Sequence, residues 1–544
     1  MKSRRLALQS NQLKETSSER RGMVMIIVMI VIVMISLAGY SFLHALTNEN
    51  KAAYLRGDEM QAESLVHSGV TVVQTLALQN RNERAELFAD DLDEESLYKG
   101  ALVCGEEDDI FRGRFTILSV NPAATTPAKF QYGPSNESAK LNLHALARWE
   151  KSMPNSGVNA LLQLPHMTEP LANALMDWID EDSISRSQGA ESEYYGGLTP
   201  AYSSRNSVPF SLDELLLVRD VNRSMLYGND LNYDFYVDAA ERDLLSDEDS
   251  AETLTEDQNA SPWNWLLTVH SAERNENSAG EPLINVNESD LTKLHKQVAE
   301  KLGEEWANFI VAYRQSGPAS EVRDASAFNN AEPAANLKID LAKKAGDFPI
   351  NSLLTLVGTT VKQKITKPGE TEETEVIYAS PLGVNGDLSL ELPNLFEALT
   401  VEADPVVVGR VNLNLASEPV LRGIPNMDET TLEAIQSARE NGPSAAEEGR
   451  EYPIWPLLEE LVTIEKMEQI LPYLTCGGNV YKAQVVGFYD QKGPSMRAEV
   501  IIDGTQPPGR VVKWLDLRMQ GQPFPPELLG VQSDELGLDA TNLN

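Results

Sequence analysis

The sequence predicts an α+β chain: one long helix that starts in a membrane, strands early and late in the chain, and helical units between them. Three observations predict it. A basic leader gives way to an uncharged apolar run, a string alternating apolar residues with asparagine occurs three times, and three C-terminal runs alternate between Gly and Pro turns. With 544 residues the chain exceeds one ordinary domain, so several modules are expected. Acidic residues outnumber basic ones by 82 to 45, a formal charge of -37, and such a field repels phosphate backbones. Two cysteines, Cys104 and Cys476, exclude a disulfide framework and a thiolate metal cluster, and leave a single bridge open.

Residues 1–22 carry Lys2, Arg4, Arg5, Lys14, Arg20 and Arg21 against Glu15 and Glu19, and from Gly22 to Asn48 no charged residue occurs. Met23 to Leu43 (MVMIIVMIVIVMISLAGYSFL) is long enough to cross the hydrocarbon core as a helix. The basic flank keeps the leader in the cytoplasm and sends the rest outward. A secretory signal would have a shorter apolar region ending at small residues. Here Leu55, Ala62, Val66, Gly69, Val73 and Leu76 continue on one helical face, so the helix is predicted to run to about Gln79.

A basic leader, a glycine, and an apolar helix that becomes amphipathic resemble the type IV prepilins. The resemblance implies cleavage by a prepilin peptidase between Gly22 and Met23. It also implies a glutamate at the fifth mature position, where this chain has Ile27. That departure is the one expected of the K-type minor pseudopilin of type II secretion. A tip subunit has no neighbour ahead to pair a carboxylate held in the bilayer.

Farther on, acidic stretches at 90–95 and 106–109 read as solvated loop or strand edge, and Arg112 to Val120 reads as a strand ending at Pro122. The repeated strings are Leu141-Asn142-Leu143-His144, Ile284-Asn285-Val286-Asn287 and Val411-Asn412-Leu413-Asn414. LPHMTEPLANALMDW from Leu164 and IPNMDETTLEAIQSA from Ile424 follow two of them. The middle copy ends in AYRQSGP, similar to SARENGP at 437–443. Each unit reads as helix, tight turn, helix, with Thr168 or Asp428 capping the second helix and Leu171, Leu175 and Trp178 on its apolar face. These hairpins resemble helix-hairpin-helix units. Their turns, Pro165-His166-Met167 and Pro425-Asn426-Met427, lack the glycine pair and sit beside Glu169, Asp428 and Glu429, so no nucleic acid partner is expected.

Six histidines without an HExxH, GxSxG or phosphate-loop motif point to a protein that is not an enzyme. One cluster suits a cation. Asp177, Asp180 and Glu181 are at helical spacing, and Asp182 and Glu191 flank a polar loop. Calcium takes six to eight oxygens, and an acidic C-terminal turn opposes the helix dipole unless neutralised.

The strings Trp178-Ile179-Asp180-Glu181-Asp182-Ser183, Gly189-Ala190-Glu191, Tyr194-Tyr195 and Pro209 to Val218 (PFSLDELLLV) resemble the K-type pseudopilin in order and wording. The resemblance implies a pseudopilin sheet on the outer half of the N-terminal helix, SAM-like or helix-hairpin-helix units inserted between its early and late strands, and a structural Ca²⁺ near Asp180, Asp182 and Glu191.

The expected organisation is a leader (1–22), a transmembrane and amphipathic helix (23–80), early strands (81–135) and a first helical unit with an acidic loop (136–260). An additional helical unit (261–318), a linker with a small β-rich insertion (319–402), a second helical unit (403–474), late strands (475–520) and a flexible tail (521–544) follow. The family does not account for 261–318 or 319–402. The implied function is a minor pseudopilin capping the tip of the type II secretion pseudopilus and supporting export of folded proteins. Its implied partners are other minor pseudopilins, the secretion platform, the peptidase and the inner membrane, which it crosses once with its bulk periplasmic. Two alternatives share the N-terminus: a membrane-tethered DNA receptor for competence and a minor type IV pilin in adhesion.

Overall fold

A computed structural model describes residues 5–88, 95–105, 112–121, 130–237, 241, 261–366, 373–384, 386–441, 450–490, 495–521 and 524–531, and only the backbone of residues 5–23. The acidic residues at 90–94 and 106–109, Pro122, the Pro-Gly turn at 368–369 and the tail at 532–544 lie outside the described residues.

Helix α1 (Arg5–Leu78) contains no proline, so nothing breaks its hydrogen-bond ladder. Among the described residues it is the one helix long and apolar enough to cross a membrane. Its apolar side chains from Val24 to Leu55 are exposed, and burial of the predicted face begins at Ala62 and includes Val66, Val73 and Leu76. Leu55 is therefore outside the packed region.

That outer half lies on an antiparallel sheet of β1 (Ala101–Cys104), β2 (Gly113–Val120), β3 (Phe130–Tyr132), β4 (Ser135–Asn136), β5 (Val480–Tyr489), β6 (Met496–Asp503) and β7 (Arg510–Asp516). The order is β1-β2-β5-β6-β7, with β3 beside β2 and β4 beside β5. The period of two decides the faces. Ile117, Ala483, Val485, Ala498, Val500 and Ile502 turn toward α1, while Leu118, Val486 and Phe488 turn away. The helix approaches so closely that a Cβ on Gly487 would lie 2.7 Å from the Ala62 carbonyl oxygen. The far face is covered by Phe524, Leu529 and Val531, and Thr116 Oγ1 donates to the Leu529 carbonyl at 2.8 Å. Residues 524–531 therefore correct the expectation of a flexible tail, because their apolar side chains close the second face.

Everything between β4 and β5 is inserted in the sheet. Among the described residues it forms three modules, each closed by a two-residue parallel bridge. Leu141-Asn142 pairs with Leu267-Thr268, Ile284-Asn285 with Leu399-Thr400, and Val411-Asn412 with Leu474-Thr475. The chemistry repeats. Each Asn Oδ1 accepts from the backbone N–H two residues on (His144, Asn287 and Asn414, at 2.8, 2.8 and 2.9 Å). Each Thr Oγ1 does the same for His270, Glu402 and Gly477, at 3.0, 3.1 and 2.9 Å.

The bridges move two expected boundaries. Residues 261–268 belong to the first module, with Trp263 and Leu266 buried in the helical core, and the middle module runs from Ile284 to Thr400. Nor does the segment 319–402 open as a linker: Ala325–Asn330 is helical, Glu332-Pro333 pairs with the strand Glu373–Ala379, and Ala334 is buried. That strand pairs antiparallel with Thr360–Thr366 inside the middle module. The module itself sits on a ribbon in which Ala272–Arg274 and Val406–Val408 run antiparallel.

In the first and third modules the helices are joined by the Pro-x-Met turn, whose central residues His166 and Asn426 take positive φ of 59° and 64°. Asp428 caps the next helix by accepting from the Thr431 N–H at 2.8 Å, whereas Thr168 makes no side-chain cap, Pro170 occupying the first turn. Cys104 and Cys476 are both free.

The first module is tied to the sheet by buried charge. Glu137 bonds Lys140 and the Thr268 hydroxyl, and Lys482 on β5 pairs with Glu499 on β6 at 3.0 Å. Burial pushes the Glu137 carboxyl up, but Lys140 and Lys482 outweigh it and hold it below its ordinary value. Its stabilising contribution is therefore present at neutral pH and is lost as the pH falls through the lowered pKa. Glu137→Ala strands Lys140 in the interior and is expected to cost about 3–5 kcal/mol, read as a lower melting temperature of the full chain. An unchanged melt would show that the buried pair does not hold this junction.

Candidate metal centre

The acidic loop of the first module begins where the helix Glu169–Ile179 ends. Leu171, Leu175 and Trp178 bury one face of that helix, which fixes its last turn and makes Asp180 its C-cap. An aromatic stack holds the far side of the loop. Trp178 meets Tyr195 edge-on at 5.2 Å, Tyr195 stacks on Tyr202 at 5.2 Å, and the Tyr202 hydroxyl donates to the Leu217 carbonyl at 2.8 Å. Glu191 is brought in as the N-cap of the short helix Ser192–Gly196.

The structure brings the three predicted residues together: one carboxylate oxygen each from Asp180, Asp182 and Glu191 lie within 4.8 Å of one another. Glu191 is 5% exposed. Its Oε2 accepts from Ser204 Oγ at 2.6 Å, while its Oε1 is buried without a partner. Asp180 Oδ1 is equally orphaned, its Oδ2 being held by Arg186. Asn206 supplies a third orphan, its Oδ1, while its amide donates to Ser183 Oγ at 3.0 Å and to the Asp182 carbonyl. Buried oxygens that lack donors are what a hard cation satisfies, so these residues fit calcium.

Electrostatics agree with the geometry. Burial pushes Asp180 up to about 6, with Asp182 and Asp177 adding to the shift and Arg186 opposing it. Asp177 and Glu181 do not belong with the cluster. Asp177 is fully buried and occupied by Arg186 Nη1 at 2.8 Å, and Glu181 points outward to Lys151 at 2.8 Å. Arg186 neutralises part of the acidic helix end, a role the sequence pattern did not single out. Asn206 was missed too; its φ of 51° in a polar loop is a backbone signal that no residue spacing carries.

At the other predicted positions, Gly22 and Met23 are helical in backbone, with side chains outside the described residues, and Ile27 is 55% exposed on the apolar stem.

Gly189 closes the loop against Asp177: a Cβ there would lie 2.0 Å from Asp177 Oδ2. Gly189→Ala is expected to displace the Asp177–Arg186 pair and lower stability by about 1–3 kcal/mol, seen as an earlier thermal transition. A variant as stable as the parent would mean that the loop yields without cost.

Residues 139–227, which hold this loop, match the family model described as Type II secretion system (T2SS), protein K. A 53-residue stretch is 47% identical to the type II secretion system protein K of Aeromonas hydrophila, covering 10% of this chain and 16% of that relative. The chain also aligns with the crystal structure of the GspK–GspI–GspJ complex from the enterotoxigenic Escherichia coli type 2 secretion system. That alignment has 12% identity and a TM-score of 0.30, over 86% of this chain and 99% of that one. Over residues 139–227, then, the chain is similar to the type II secretion system protein K family, the family that its motifs resemble.

Proposed function

We propose that this chain is a minor pseudopilin that caps the tip of a type II secretion pseudopilus and supports export of folded proteins across the outer membrane. The observation that carries this reading is α1, whose outer half is buried on the sheet while its apolar beginning is bare, as in a stem that lies among other stems. The match over 139–227 supports it. Ile27 supports the tip position, since a subunit there has no neighbour whose amino terminus would neutralise a carboxylate in the bilayer. Three modules between β4 and β5 give the body a bulk that suits a cap better than a stacked repeat.

In this reading a prepilin peptidase cuts between Gly22 and Met23, the stem crosses the inner membrane once, and the body is periplasmic. Other minor pseudopilins and the secretion platform are its partners. The hairpins serve as SAM-like or helix-hairpin-helix scaffolds, and the role is assembly rather than catalysis. Cations beside the third module's turn are already paired, Lys466 with Asp428 and Arg422 with Glu418 and Glu429. A phosphate backbone would find them occupied, which argues against a DNA receptor.

Structural Ca²⁺ held by Asp180, Asp182 and Glu191, with Asn206 as a further oxygen, would lock the acidic loop to the helix end. Chelation is then expected to lower the melting temperature, and Glu191→Gln to abolish the difference between calcium and chelator. Equal melts of the parent with and without chelator would remove calcium from the proposal. Mass spectrometry of the chain from native membranes tests the main reading: a mature N-terminus at Met23 is expected, and an intact leader overturns it.

A further inference from the structure

Immediately after the family-matched segment, Asp230, Asn232, Asp234, Tyr236 and Glu241 occupy positions one, three, five, seven and twelve of a loop. This is the spacing by which twelve-residue calcium loops present side-chain oxygens, a main-chain carbonyl at seven and a closing glutamate.

The loop is folded accordingly. Asp230 accepts from the backbone N–H of Asp234 at 3.1 Å and of Phe235 at 2.8 Å. Asn232 Oδ1 accepts from Asp234 N–H at 2.9 Å, and Asp234 Oδ1 from Tyr236 N–H at 2.9 Å. Glu241, buried at 6% exposure, folds back so that its Oε1 accepts from the N–H groups of Leu231 and Asn232 at 2.8 and 3.2 Å. The sixth position, where such loops use glycine for a sharp turn, is Phe235 with a φ of 67°.

A separate observation points to an occupant. Between the loop and the sheet is a cavity lined by Asp230, Tyr233, Ser119, Gln484 and Asn264. Ser119 and Gln484 are each 2% exposed, and Ser119 Oγ, Gln484 Oε1 and Asn264 Oδ1 all lack hydrogen-bond partners. Calcium retains water on part of its shell, and such water donates hydrogen bonds, which is what orphaned oxygens facing Asp230 require. The neighbouring cation, Arg497, spends its hydrogen bonds on backbone: its guanidinium donates to the carbonyls of Tyr233 and Asn232 at 3.1 and 2.7 Å, while Asp230 and Asp234 act on it through charge.

We propose that Asp230, Asn232, Asp234, Tyr236 and Glu241 form a second calcium site, separate from the Asp180 cluster and independent of the tip assignment, which fastens the end of the first module to β5 and β6. Gln484 and Arg497, one on each of those strands, already hold the loop by its Tyr233 carbonyl, so a cation bound by its carboxylates would complete the clamp.

The test uses the full chain in detergent, stripped with chelator, in a D182N/E191Q background that silences the other cluster. Calorimetric titration with CaCl₂ is expected to show one remaining equivalent, weakened about tenfold or more by adding D230N/E241Q, and a matching loss with magnesium would mark the site as a general divalent one. Terbium luminescence supplies a readout that survives a folding defect in the double variant: Tyr236→Phe should cut the sensitised emission while leaving the calcium stoichiometry unchanged. Absence of binding in the D182N/E191Q background, binding indifferent to D230N/E241Q, or emission indifferent to Tyr236→Phe overturns the proposal.

Discussion

Between β4 and β5 this chain passes through three modules before it rejoins its sheet, and a two-residue parallel bridge brings the end of each module back to its start. Asparagine on the outgoing strand and threonine on the incoming one each satisfy a backbone N–H just beyond the bridge. The exposed backbone of a chain crossing is thereby paired without a longer strand. Because the ends of every module are held side by side, the registry of β4 against β5 does not depend on what lies between them. The continuous helical core of the three modules can then grow without disturbing the separate core that α1 makes with the sheet.

What could be read from residues alone followed the range of the interactions. The long apolar stem, the sheet strands β2, β5, β6 and β7 and the three asparagine strings are encoded in consecutive or helically spaced residues and were legible, whereas the short β3 and β4 carry too few residues to show a period. The threonine partners were not: Asn142 pairs with Thr268 and Asn285 with Thr400, across gaps that no periodicity spans. For that reason the first module was expected to end too early, and the start of the middle one to absorb Trp263 and Leu266. The recurring Leu-Thr pairs at 267, 399 and 474 were the available signal. Residues 524–531 looked frayed because their few apolar side chains gain meaning only from the sheet face that needs covering.

The acidic loop shows the same division. Asp180, Asp182 and Glu191 are close in sequence and present carboxylate oxygens near one another, whereas Asp177 and Glu181, equally acidic and nearer the helix, are held apart from that group by ion pairs. Helical spacing places carboxylates on a surface; which of their oxygens stays uncompensated depends on where Arg186, within the loop, and Lys151, on an earlier helix, reach. A net charge of -37 thus overstates the free acidity near the hairpin turns, where cations and carboxylates neutralise one another locally.

The ribbon of Ala272–Arg274 with Val406–Val408 has an evolutionary reading. A module whose two ends already touch can be acquired or discarded by a single insertion or deletion event, because rejoining the ribbon closes only a short loop. Size in such a protein becomes adjustable independently of its anchor: the same stem and sheet could carry bodies of different girth, each new lobe hung from a hairpin tip as a bead from a clasp.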